Sequence, residues 1–111
     1  NLSALTKAGH IETPVIPNYA EHNAHIFFVK LRDLKQRSDF MSYLNSNGIK
    51  TAFHYVPLHS SEAGQRYGEL VGEDKYTTKE SERLLRLPLY TDLESKDCDK
   101  VCERIEHYFR Q

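Results

Sequence analysis

The tightest constraint on how this chain can fold is Pro57, which ends an alternating run from Ile49 to Val56. Ile49, Thr51 and Phe53 alternate with Lys50, Ala52 and His54, the period of a strand with one buried face. Proline has no amide hydrogen to give a sheet, and it biases Val56 toward extended geometry. The strand must stop there, and it releases two imidazoles and a phenol at its end: His54, Tyr55 and His59. Histidine has the side-chain pKa nearest neutral pH, so an edge built this way suits polar contacts with a ligand. The competing reading is a set of strand-end histidines that are solvated or bonded to nearby backbone.

A chain of 111 residues is one domain, long enough for a real but modest core. Charged residues make up 28%, the signs are interspersed and the net charge is −1, which argues against nucleic acid or an anionic membrane as the main partner. No apolar run approaches the ~20 residues of a membrane span, and the first residues lack the layout of a secretion signal. Cys98 and Cys102, four apart on an amphipathic pattern, read as two small core residues rather than a disulfide or metal pair. A reduced, cytoplasmic setting is the expectation.

Residues 1–9 carry Leu2, Leu5 and Ala8 at helical spacing and stop at Gly9, so the chain reads as starting inside a helix cut from something longer, with a processed terminus as the alternative. Residues 10–23, with Pro14 and Pro17, read as an irregular connector. The run from His25 to Leu31 is the clearest strand, Arg32 to Arg37 reads as a charged turn, and the helical pattern begins at Ser38 and stops at Asn47-Gly48. The glycine-bearing stretch from His59 to Tyr76 reads as a long loop of functional type. Thr77 and Glu80 have capping-box spacing and predict a short helix, which cannot pass Pro88. Leu87-Pro88-Leu89 is a short extended piece at a sheet edge or strand end. Ser95 caps a last helix whose buried stripe is Cys98, Val101, Cys102, Ile105, Tyr108 and Phe109. The fold class is α/β (α+β), a small three- to four-stranded sheet with helices packed on one face.

Three kinds of chemistry compete. His54, Tyr55 and His59 can hydrogen-bond phosphate or sugar hydroxyls at a cleft. His54 and His59 could bind a metal, but five residues across a proline lacks the helical i, i+4 register and no acidic third ligand sits at a familiar spacing. Ser60, Ser61 and Cys98 lack the surroundings of a nucleophile. His25 could point at the same edge as His54 or pack structurally, and Asn23 is a contact or a turn residue. Arg86 could hold a carboxylate or phosphate, or form a surface ion pair. Residues alone name no reaction.

Asn23 to Val29, Gly48-Ile49, Phe53 to His59, Thr77 to Leu89 and the last helix, in that order and spacing, resemble one family over nearly the whole chain. They are similar to the C-terminal small domain of the DegT/DnrJ/EryC1/StrS sugar aminotransferases, which are fold-type I pyridoxal-phosphate enzymes. The stretches His54 to His59 and Thr77 to Tyr90 are closest to members that make dTDP-4-amino-4,6-dideoxy-D-galactose for enterobacterial common antigen, a lipopolysaccharide-related pathway.

The resemblance implies that glutamate donates an amino group through pyridoxal 5'-phosphate to the 4-keto carbon of dTDP-4-keto-6-deoxy-D-glucose. It implies an N-terminal domain carrying the cofactor lysine, a homodimer, and a small domain that closes the cleft but is inactive alone. Residues 1–22 would be the end of the inter-domain helix and its connector, and 23–111 the small domain. His54, Tyr55 and His59, with His25 and Asn23, would face the nucleotide sugar. The alternative is a stand-alone nucleotide-sugar binding or regulatory module, since a fold does not dictate a function.

Overall fold

A computed structural model of the chain describes residues 2–110. Its elements are α1 (Ser3–Lys7), β1 (Phe27–Lys30), α2 (Leu34–Ser46), β2 (Ala52–Phe53), a 3-10 turn (Leu58–Ser60), α3 (Glu62–Tyr67), α4 (Thr77–Arg83), β3 (Leu84–Leu87) and α5 (Ser95–Arg110). The sheet has the order β1-β3-β2, with both neighbours antiparallel to β3. Val29, Leu85 and Phe53 stand in register on one face. Val29 and Leu85 are fully buried and join Phe40 and Leu44 of α2 and Ile105 of α5 in the core. Phe40 packs its ring on Tyr108 and Phe109 of α5, with centroids 4.8 and 5.6 Å away. The other face carries Phe28, Arg86 and Ala52 in register and contributes nothing to that core.

Several elements differ from the sequence expectation. Helix α2 begins at Leu34, not Ser38, because Asp33 caps it by accepting from the Gln36 amide at 2.8 Å. The supposed charged turn is its first turn. Arg37 is buried there, donating from Nε to the Glu82 carbonyl at 3.0 Å with its guanidinium 5.1 Å above the Phe53 ring. Strand β2 shrinks to two residues because its expected first half closes the end of α2 instead. The Ile49 amide donates to the Leu44 carbonyl, and the Thr51 amide to the Asn45 side chain.

Residues 84–87 are the central strand: Leu84 to Arg86 replace the expected end of the helix, and Leu87, expected to be extended, lies on the central strand and not on a sheet edge. Pro88 follows the last pair, Phe27 with Leu87, so its missing amide removes no ladder bond. The expected long loop holds the 3-10 turn and α3. Ser61 caps α3 by accepting from the Gly64 amide at 3.0 Å, and Gly64 lies so close to the Leu58 carbonyl that an added Cβ would stand 1.6 Å from its oxygen. Helix α4 is capped not by Thr77 but by the Asp74 carboxylate, which accepts from the Thr78 amide at 3.2 Å. Glu80 turns outward to Lys30 at 2.6 Å. On α5, Cys98 is exposed and Cys102 half-buried, both free thiols, so the cysteines are not core residues; the helix buries Ile105 fully and packs Val101, Tyr108 and Phe109 against the core. Ile11, within the connector, is a core residue, and Glu12 beside it bridges to Lys30 through paired backbone bonds.

Candidate functional site

Strand β2 delivers His54 and Tyr55 at its end as the proline requires. Tyr55 has φ +48°, a left-handed conformation that a bulky side chain adopts at a cost of about 1–3 kcal/mol. The twist leaves its phenol 73% exposed, with the His54 ring edge-on at 4.9 Å. The His54 Nδ1 atom is enclosed and has no hydrogen-bond partner among the described residues. Most buried polar atoms in folded proteins are hydrogen-bonded, so this nitrogen stands out.

His59 is different. After Pro57, at φ −54° and ψ 140°, the 3-10 turn points the imidazole inward. Its Nε2 lies 3.0 Å from Asp74 Oδ2 and 3.1 Å from Thr78 Oγ1. The same Asp74 carboxylate accepts from the Thr78 hydroxyl, and that bond is the first cause holding its carboxyl below the usual range; His59 adds to it. His59 therefore pins the turn to the start of α4.

His25 and Asn23 lie elsewhere. The Asn23 carboxamide accepts from the His25 amide at 3.1 Å, the His22 ring accepts from Ala24, and Ala24 has φ +52°. Because β1 and β2 both run antiparallel to β3, they are parallel to each other. Continued, the register sets His25 level with Leu89 and His54 level with Leu84. That is five residues of β3, roughly 17 Å. His25 and His54 do not share an edge. His25 instead lines a cavity of about 340 Å³ with Lys50, Thr51 and Arg86. Arg86 makes no ion pair among the described residues, and its Nε is enclosed without a partner.

Sequence reasoning missed Asp74, Thr78 and Lys50. Asp74 could have been found as the acid four residues before Thr78; Lys50 gave no signal. A patch around the 3-10 turn and α3 leaves Leu58, Tyr67 and Val71 at 78%, 78% and 94% exposure. Among the described residues no group of three or more His, Cys, Asp and Glu is placed to hold a metal, and no helix is long and apolar enough to cross a membrane.

The profile of the DegT/DnrJ/EryC1/StrS aminotransferase family matches residues 1–106. The chain belongs to that family. It is 30% identical to a 3-oxo-glucose-6-phosphate:glutamate aminotransferase of Bacillus subtilis (strain 168), over 99% of this chain and 25% of the relative. It is 26% identical to dTDP-3-amino-3,6-dideoxy-alpha-D-galactopyranose transaminase of Aneurinibacillus thermoaerophilus, over 89% of this chain and 28% of that one. The fold matches the crystal structure of NtdA from Bacillus subtilis with bound PMP, at a TM-score of 0.77 and 27% identity, covering 99% of this chain and 25% of that structure. The chain thus spans about a quarter of the length of the curated relatives it matches.

The residues present do not fit a pyridoxal-phosphate pocket. Every lysine is exposed except Lys30, which is half-buried and paired with Glu80, so no lysine sits in the closed, desolvated site that an aldehyde cofactor requires.

Proposed function

We propose that this chain is the substrate-facing small domain of a nucleotide-sugar aminotransferase, and that the complete protein aminates the 4-keto carbon of dTDP-4-keto-6-deoxy-D-glucose with glutamate as donor. The observation that carries this is the family match across residues 1–106, together with a span of only a quarter of the relatives. Pyridoxal 5'-phosphate, held by residues outside this chain, supplies the electron sink. This chain contributes a wall. The exposed Tyr55 phenol is a donor and acceptor for sugar hydroxyls, the His54 ring stands edge-on beside it at the same strand end, and His59 sets their height by fixing the turn that follows. Asn23 and His25 serve the same substrate from the far end of the sheet.

The lack of a fitting lysine supports a chain that is inactive alone. The exposed Leu58, Tyr67 and Val71 support a surface that is covered by the N-terminal domain or by the second subunit of a homodimer. The 4-keto specificity rests on the wording of residues 54–59 and 77–90, which also suggests a place in enterobacterial common antigen synthesis in the cytoplasm. Incubating the complete protein with dTDP-4-keto-6-deoxy-D-glucose, glutamate and cofactor tests it. Formation of the 4-amino sugar with stoichiometric 2-oxoglutarate is expected. Amination confined to a 3-keto isomer, or none, would overturn the substrate assignment.

A further inference from the structure

The cavity at the β1-start end of the sheet answers to a different chemistry from the sugar edge. Lys50, Arg86 and His25 line it, with Thr51 adding a hydroxyl, and no acidic side chain lines it. Neither Lys50 nor Arg86 has an ion-pair or hydrogen-bond partner for its side chain among the described residues, although Lys50 also borders a neighbouring cavity that carries Asp97 and Glu103, and Arg86 Nε is enclosed. A guanidinium without a carboxylate partner is a group that a bound oxyanion can satisfy. The Arg86 backbone is held in place, since it stands on the central strand between Phe28 and Ala52. A guanidinium fork with a flexible ammonium beside it suits a group carrying two or more anionic oxygens.

We infer that this cavity is an oxyanion site for a phosphate or carboxylate group of a small-molecule reactant. Its chemistry is that of a diphosphate or of a dicarboxylate amino donor. The choice of these two sources rests on the function proposed above, whereas the site itself rests on Lys50, Arg86 and His25.

NMR titration of the 111-residue chain with inorganic pyrophosphate, and separately with glutarate, tests the site without any catalytic readout. Saturable shifts at the Ile26, Thr51 and Arg86 amides are expected for at least one anion. Affinity should fall about tenfold or more in Arg86→Gln and in the surface variant Lys50→Gln, and stay unchanged in Lys35→Gln on α2. Saturation by pyrophosphate alone supports a phosphate source, and by glutarate alone a carboxylate source. No saturable shift with either anion, or equal affinity in the wild type and Lys50→Gln, overturns the site. A site that binds pyrophosphate while the complete protein aminates no nucleotide sugar would leave the site standing and remove the proposed reaction.

Discussion

Tyr55 carries two opposing demands. Its φ of +48° is a strained choice for an aromatic residue, whereas glycine occupies that region freely. Tyr55→Gly should leave thermal stability unchanged or raise it by about 1 kcal/mol, yet weaken nucleotide-sugar affinity in the complete protein. A loss of more than that in stability, read from urea midpoints, would show that the phenol serves the fold. His59 has the reverse character. Its imidazole bridges Asp74 and Thr78 with its side chain 22% exposed, so His59→Ala should cost about 1–2 kcal/mol in the chain itself. An unchanged midpoint would return His59 to the role of a free substrate contact.

At the scale of elements, Gly64 joins α3 to the 3-10 turn through direct backbone contact. Gly64→Ala must push the helix off the Leu58 carbonyl, at about 1–3 kcal/mol, and should shift the His59 ring resonances in an NMR spectrum. An ordinary spectrum with an unchanged midpoint would contradict that contact. The helix caps and pairs also set the response to acid. Asp33, held by the Gln36 amide, Asp74, held by the Thr78 hydroxyl, and Glu80, held by the Lys30 ammonium, all have folded-state pKa values below the usual carboxylate range. The unfolded chain therefore binds more protons as pH falls through about 4, and the stability these groups contribute above that range is lost progressively below it. Asp74→Asn should flatten part of that slope in pH-dependent urea melts; an identical slope would count against the cap.

The elements differ in how plainly the residues announced them. Gly9 and Gly48, at φ +74° and +78°, end helices where the spacing placed them, and the period of Ile105, Tyr108 and Phe109 gave α5. The turn after Phe53 was legible because Pro57 allows little else. Residues 84–87 were not, because Leu84-Leu85-Arg86-Leu87 continues a helical pattern and becomes a strand only by pairing with β1 and β2. The separation of His25 from His54 is likewise a matter of strand direction, which no local pattern encodes.

Across the whole molecule, apolar surface is unevenly distributed. Leu58 and Val71 are 78% and 94% exposed, while Ile105 is wholly buried. Leu58→Ser and Val71→Ser should change the stability of this chain by less than about 0.5 kcal/mol, whereas Ile105→Ala should cost about 2–5 kcal/mol. A large cost at Leu58 would mean that the patch already has a partner within the chain. In the function proposed above, the β2 edge meets the sugar and not the amino donor, and the two half-reactions of the proposed aminotransferase separate these roles. The rates of each should be measured for wild type and His54→Asn in the complete protein. Amino transfer from glutamate to the cofactor is expected at the wild-type rate, with transfer to the keto sugar slowed at least about tenfold. Wild-type rates in both half-reactions would remove His54 from the proposed substrate wall and overturn the assignment of the β2 edge to the sugar.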